Sequence, residues 1–506
     1  MIEPKEIKVL DKNAEYYGTS TLELMENAGK NTAEVIIKKI NPQKNCKILF
    51  LCGTGNNGGD GFVAARYLSK KYMVTVFLTG KPEEIKTKIS KENYQKLKEC
   101  NVTRYTINHL KKLDKILNEN EIIIDAMLGI GLSGQLREPY RTIVNKINQL
   151  KNKTIISIDI PTGLGTDVSI KPKFTVTFHD IKKGMNPKNS GEIIISDIGI
   201  PKKAVEYVGP GELIAYYPKP RKESHKGENG RLLVVGGGPY YGAPALSSFA
   251  AQRTGVDLVY TATPKKVARA ITSYSPLLIK PLRLAKEIAK KSPTLIVKEL
   301  KNEEILVPED IELIEKLLSK TDALLIGPGL GDNTRTQQAV KNIIQLFKKN
   351  KKPMVIDADA IKVVGKNPDI IKNSQTVVTP HSGEFKELTG IKLSNDLDER
   401  KKHVQNWAKK LGIVIVLKGP VDIISDGKTT KLNNVHNEAM TVGGTGDVLA
   451  GIIGALLAKN VEPFNAARIG VFINGAAGNL AFNKKSYGLI ATDIIEEIPT
   501  ILKKYL

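Results

Sequence analysis

Glycine-rich stretches of this sequence also carry amide and carboxylate side chains of the kind that chemistry requires. Residues 53–61 read GTGNNGGDG. Glycines let a backbone close in on a phosphate, and a helix start offers free N–H groups to an anion. Asn56, Asn57 and Asp60, set among those glycines, add side-chain oxygens able to hold ribose hydroxyls or a hard cation, work that a plain turn does not need. Two further loops, 125–134 (DAMLGIGLSG) and 159–165 (DIPTGLG), each open on an aspartate. Taken singly, Asp125 or Asp159 reads equally as a helix cap or a loop acceptor. Taken with the first loop, they point to a shared ligand crevice. In the second half, 443–449 read GGTGDVL. A glycine-rich helix start stabilises charge on a phosphoryl group in transfer, and Asp447 in its first turn is placed to take a hydroxyl proton. The plainer reading is a capped helix start in which Asp447 satisfies backbone donors. The loops 327–331 (GPGLG), 379–385 (TPHSGEF) and 418–420 (KGP) fit the same crevice. His381 alone reads as a loop histidine, but its Pro, Gly and Glu384 neighbours favour a working role.

Each loop follows a short apolar run, and those runs position the chemistry. Residues 47–52 (KILFLC), 73–79 (MVTVFLT), 121–126 (EIIIDA) and 154–159 (TIISID) predict strands, with a helix over 60–71. Strands alternating with helices imply a parallel sheet wrapped by helices, whose ligands sit at the carboxyl ends of the strands. Prolines, glycines and charge break the pattern over 208–224, placing a seam near 211–222. A second series starts at 231–235 and runs through 323–326, 354–357, 376–379 and 413–418. Helical stretches at 444–459, 463–483 and 491–503 close the chain. The halves share no repeat, so two different α/β domains are expected, 1–216 and 222–504.

The 506 residues exceed what one hydrophobic core organises, and 41% hydrophobic with 25% charged residues describes an ordinary α/β protein. No apolar run approaches the roughly 20 residues of a membrane span, and residues 1–10 lack a signal peptide's apolar stretch, so a cytoplasmic protein without membrane partners is expected. Cys46, Cys52 and Cys100 form no CxxC pair, which argues for buried thiols over disulfides or zinc. The formal charge of +23 is diffuse, with lysine pairs at 70–71, 290–291 and 348–349 at the ends of predicted helices. No basic run interleaves with aromatics, so solvated faces are expected and a nucleic-acid partner is not. A dinucleotide substrate would benefit from the same field.

The motifs NNGGD, DAMLGIG and DIPTG, with MENAG at 25–29, resemble the NAD(P)H-hydrate epimerase family over roughly 1–216. That resemblance implies a Rossmann-like three-layer domain binding hydrated NADH or NADPH through Asn56, Asn57, Gly58, Gly59, Asp60, Gly129, Ile130, Gly131, Leu132, Ser133, Gly134, Gln135 and Asp159. It implies potassium near Asn57, Asp125 and Thr162, where many relatives have Ser at the last position, and Asp159 as acid/base group. The loops of the second half, with SHKGENG (224–230) and GGGPYYGA (236–243), resemble NAD(P)H-hydrate dehydratases of the ribokinase superfamily over 222–504. Here the resemblance implies a ribokinase-like α/β domain in which Ala243, Gly329, Gly331, His381 and Asp447 contact the hydrated nucleotide. Lys418, Gly419, Pro420, Val421, Asp422 and Gly446 would hold the adenine nucleotide, with ADP as phosphoryl donor and magnesium on its phosphates. The family often has Ser or Thr four or five residues after the lysine, where this chain has Asp422. Two other readings stay open: a small-metabolite kinase, whose product keeps its phosphate, and a first half reduced to a binding module. A homo-oligomer is compatible with either.

Overall fold

The alternation along residues 47–52 decides which way each side chain faces. Ile48, Phe50 and Cys52 fall in one buried cluster with Phe62, while Leu49 and Leu51 fall in another with Phe77, because successive side chains of a strand point to opposite faces. A strand apolar on both faces belongs inside a parallel sheet covered on both sides. In the computed structural model, which describes residues 1–129, 134–273 and 294–506, this strand lies inside the sheet of the first of two units, residues 1–205.

That unit contains β1 (Lys47–Cys52), β2 (Met73–Leu78), β3 (Val102–Thr106), β4 (Ile122–Ala126), β5 (Thr154–Ile158), β6 (Phe174–Phe178) and β7 (Glu192–Ser196). They lie in the order β3-β2-β1-β4-β5-β6-β7, all pairs parallel. The order reverses between β1 and β4, which is where a doubly wound, Rossmann-like sheet opens its ligand crevice. Helices α1 (Pro4–Tyr16), α2 (Thr21–Ile40) and α3 (Asn56–Leu68) belong to the same unit. The predicted helix over 60–71 thus starts earlier, so NNGGD forms its first turns. Helices α2 and α3 approach so closely that a Cβ on Gly29 would stand 2.4 Å from the Val63 Cβ.

The second unit, residues 206–506, holds β8 (Arg231–Val235), β9 (Leu258–Thr263), β10 (Ile296–Glu299), β11 (Ala323–Ile326), β12 (Met354–Ile356), β13 (Thr376–Val378), β14 (Val414–Leu417), β15 (Asp422–Ser425) and β16 (Thr430–Asn433). Their order is β10-β9-β8-β11-β12-β13-β14-β15-β16, with only β15 and β16 joining antiparallel. The switch point lies between β8 and β11. Helices Thr445–Ala458, Pro463–Lys485 and Ala491–Tyr505 contribute to one buried cluster with Leu232, Val234 and Leu325, and Thr334–Lys349 contributes to the other with Leu233, Val235 and Ile326. Each fully buried Leu, Ile or Phe stabilises the fold by roughly 1.5–3 kcal/mol. The helix Pro210–Tyr216, assigned by sequence to the first domain, packs within the second unit, where Glu212 faces Arg468 at 3.7 Å. Among the described residues no helix is long and apolar enough to cross a membrane.

The contact between α2 and α3 makes Gly29→Ala a test of this packing. The new methyl collides with Val63, so the variant is expected to lose about 1–3 kcal/mol and several degrees of melting temperature. A melting temperature equal to the parent's would show the two helices to be further apart.

Candidate functional site

In the first unit the loops after β1, β4 and β5 come together. The loop after β1 passes the loop after β4 so tightly that a Cβ on Gly53 would stand 1.8 Å from the Met127 carbonyl oxygen. Gly58 and Gly59 serve this packing, one lying over the Gly53 carbonyl and the other against Met25. No side chain caps the start of α3 at Gly55. Beside it Asn57 is buried, and among the described residues neither its amide nitrogen nor its amide oxygen has a hydrogen-bond partner.

Asp125, wholly buried at the end of β4, ties the loops together. Its Oδ1 accepts from Thr162 Oγ1 at 2.6 Å and Met127 N at 3.3 Å, and its Oδ2 accepts from Thr162 N at 2.8 Å and Ser157 Oγ at 2.9 Å. Burial raises its pKa, and these bonds pull it back down. Thr162 Oγ1 also accepts from Leu128 N at 3.0 Å.

Asp159 follows β5 with φ of 65°, a left-handed conformation that costs a residue with a Cβ about 1–2 kcal/mol. A bond from its N–H to the Val176 carbonyl, 2.7 Å, holds it there. Its Oδ1 stands 2.6 Å from Lys182 Nζ. Lys182 is buried and also donates to Thr177 Oγ1 at 2.9 Å and the Phe178 carbonyl at 2.6 Å. Asn56, Asn57, Asp60, Gly129, Asp159 and Lys182 all line one cavity of about 570 Å³. Burial, then the Asp159 charge, pushes the Asp60 carboxyl well up. Gly134 and Gln135 are exposed and do not line the cavity; Ile130, Gly131, Leu132 and Ser133 lie outside the described residues.

In the second unit the helix Thr445–Ala458 opens at Gly444, again without a side-chain cap. A Cβ on Gly446 would stand 3.4 Å from Lys418 Nζ, so an ammonium faces the bare helix start. Lys418 Nζ lies 3.0 Å from Asp357 Oδ1 and 3.7 Å from Glu384 Oε2. Burial works against its charge, but Asp357 and Glu384 outweigh burial and raise its pKa. Thr379 Oγ1 donates to Asp357 Oδ1 at 2.6 Å. Asp447 is pushed up to about 7, first by burial and then by Asp357, while Lys418 pulls the other way. Burial likewise raises Glu384.

His381 caps the helix Ser382–Thr389. Its Nδ1 accepts from Gly383 N at 3.0 Å and Glu384 N at 3.2 Å, while Glu384 Oε2 accepts from His381 N at 2.8 Å. The ring itself is exposed, leaving Nε2 toward solvent and Glu384. Ala243 meets Gly329, whose Cβ would stand 3.3 Å from it, and Gly331 N donates to Asp359 Oδ2 at 2.8 Å. Asp422 faces inward: Oδ1 accepts from Gly419 N at 3.0 Å and Oδ2 from Asn433 Nδ2 at 2.9 Å. It braces the turn that carries Gly419, Pro420 and Val421.

Lys182 and Asp357 are site residues that sequence reasoning missed. A weak signal for Asp357 existed in its place after the apolar run MVI. Lys182 follows β6, a strand not anticipated. The three cysteines are unpaired, two of them buried, and burial pushes the Cys46 thiol up to about 11.

The raised carboxyl of Asp447 has a consequence for stability. An acid whose pKa is higher in the fold than in the unfolded chain is least costly below the unfolded value of 3.8, and its cost grows as pH rises toward about 7. Asp447→Asn is therefore expected to stabilise the second unit by on the order of a few kcal/mol at pH above 7 and hardly at all below about pH 4. Equal gains at both ends of a pH series of denaturant melts would show Asp447 to ionise freely.

Comparisons with known proteins agree with this division. The family described as YjeF-related protein N-terminus matches residues 21–184, and the family described as NAD(P)H-hydrate dehydratase matches residues 232–500. The chain is 40% identical over 511 residues to a bifunctional NAD(P)H-hydrate repair enzyme of Hyperthermus butylicus, covering 98% of this chain and 91% of that one. It is 39% identical over 516 residues to the protein so named from Methanocaldococcus jannaschii, covering 99% and 94%. Among solved structures, an ADP/ATP-dependent NAD(P)H-hydrate dehydratase from Bacillus subtilis, co-crystallised with ATP and Mg²⁺, is 25% identical, with a TM-score of 0.46 over 60% of this chain and 99% of that one.

Proposed function

Because the chain belongs to the bifunctional NAD(P)H-hydrate repair enzyme family, we propose that its two units together restore hydrated NADH and NADPH. The first interconverts the R and S epimers; the second dehydrates the S epimer at the expense of ADP, giving AMP and phosphate. Spontaneous hydration yields both epimers, so a dehydratase selective for one needs the other converted.

The observation that carries the reading is Asp447, poised near neutrality in the first turn of an uncapped helix whose Gly446 lies beside Lys418. Hydroxyl is a poor leaving group and phosphate a good one. Asp447 accepts the proton of the substrate hydroxyl as it attacks the terminal phosphoryl group. The N–H groups of the GGTG turn and the Lys418 ammonium stabilise the charge on that group in transfer. Phosphate then leaves with the C–O electron pair, the adjacent ring carbon gives up a proton, and the dihydropyridine is restored. Lys418, Gly419, Pro420, Val421 and Gly446 hold the adenine nucleotide on a turn that Asp422 braces, and Ala243, Gly329, Gly331 and His381 hold the hydrated ring. Among the described residues no three His, Cys, Asp or Glu side chains are grouped as metal ligands. Asp357 and Glu384 would face magnesium carried in on the nucleotide, which would supply charge neutralisation there.

In the first unit Asp159, paired with Lys182, is the acid/base group, and Asn56, Asn57, Asp60 and Gly129 hold the substrate. Asn57, Asp125 and Thr162 would hold potassium: among the described residues the buried Asn57 amide has no partner and no cation pairs with the buried Asp125. Bound there, the ion would supply positive charge beside Asp125. A cytoplasmic setting suits these small-molecule substrates.

The test follows near-ultraviolet absorbance of the restored dihydropyridine, starting from mixed epimers with Mg²⁺, K⁺ and either ADP or ATP. Full recovery, faster than spontaneous epimerisation, is expected. Asp447→Asn should slow dehydration by about 100-fold or more while leaving epimerisation intact. Recovery that stops when the S form is spent would remove the epimerase. Phosphate retained on the product would replace the dehydratase with a kinase.

A further inference from the structure

We propose that Asp11, on the N-terminal helix α1, is a second proton-transferring carboxyl of the epimerase cavity, acting as a pair with Asp159. This rests on reading the first unit as an epimerase. Asp11 lines the same cavity as Asp60, Asp159 and Lys182, yet lies outside the residues 21–184 matched by the family model.

Its placement is built into the fold. Ile2 N donates to the Ile181 carbonyl at 2.8 Å and Lys183 N donates to the Ile2 carbonyl at 3.0 Å, fastening the residues before α1 alongside Lys182. Val9, Leu10, Asn13 and Ala14 seat the helix by burial. Ile7, Lys8 and Asp11 then look into the cavity. The unpartnered amide of Asn57 in the same wall marks the cavity as a place where a polar ligand is received.

Inversion at a hydroxyl-bearing ring carbon needs two protons handled on two faces. One group gives its proton to the departing hydroxyl; the C–O bond breaks, its electron pair leaves with water, and the ring nitrogen lone pair supports the cation. Water then adds to the opposite face and gives a proton to a second group. One carboxyl ends ionised and the other protonated, and the reverse reaction restores both. The pair must therefore begin in opposite protonation states. Asp159 is ion-paired to Lys182, whereas among the described residues the Asp11 carboxyl forms no hydrogen bond or ion pair. Burial first, then the Asp159 charge, lifts Asp11 to about 6, with Lys182 and Lys12 opposing. Asp60 from α3, and Lys8, Lys86 and His179 also face this cavity. Burial, then the Asp159 and Asp11 charges, pushes the Asp60 carboxyl up, with Lys182 opposing.

The experiment compares the full-length protein with Asp11→Asn and Asp11→Glu, measuring R-to-S and S-to-R rates on separated epimers across pH. The parent is expected to lose activity in both directions as pH rises through about 6, because the proton on Asp11 is lost there. Asp11→Asn should lower kcat in both directions by about 100-fold with KM nearly unchanged and without that falling limb, and Asp11→Glu should restore part of the rate. Rates for Asp11→Asn within threefold of an active parent would overturn the role of Asp11 alone. So would a loss confined to KM with the falling limb intact. A parent that does not epimerise would overturn the reading of the whole first unit.

Discussion

Both sites depend on backbones that touch at the carboxyl ends of neighbouring strands. In the first unit the loop after β1 lies on the Met127 carbonyl of the loop after β4. In the second, a Cβ on Gly327, after β11, would stand 1.7 Å from the Asp357 carbonyl oxygen after β12. Approaches this close exclude any side chain at Gly53 and Gly327. Asp125 and Asp357 are oriented as a result, and through them Thr162 and Lys418. Chemistry that relies on positioning uses such rigidity directly.

The two units also share an electrostatic plan on different folds. Each gathers several carboxyls around one largely buried lysine: Asp11, Asp60 and Asp159 around Lys182, and Asp357, Glu384 and Asp447 around Lys418. One ammonium cannot neutralise three carboxylates in a poorly solvated wall, so some carboxyls keep protons near neutrality. In each site one carboxylate stands closest to the lysine, Asp159 at 2.6 Å and Asp357 at 3.0 Å.

Most of the strand-and-loop framework was legible because its signals are local. Apolar runs such as KILFLC and TIISID, each closed by glycine or aspartate, announce parallel strands and the loops above them. The start of α3 was misjudged because glycines disfavour helices in isolation; packing of Gly58 and Gly59 against Gly53 and Met25 overrides that preference. The hairpin of β15 and β16 was not anticipated because β16, TKLN, contains no apolar run. Asp11 and Lys182 were illegible for another reason: the residues that give them meaning lie far away along the chain. The helix Pro210–Tyr216 looked like a linker from its prolines and glycines, yet its Glu212 is buried against Arg468.

The solitary amide of Asn57 has a thermodynamic corollary. A buried donor and acceptor left unmatched cost about 1–3 kcal/mol, and whatever satisfies them returns that amount. By mass action the native population of the first unit then rises with the concentration of the species that binds there. A chain that binds more tightly when folded is thereby preserved by the very species its cavity receives, a form of persistence that needs no regulator.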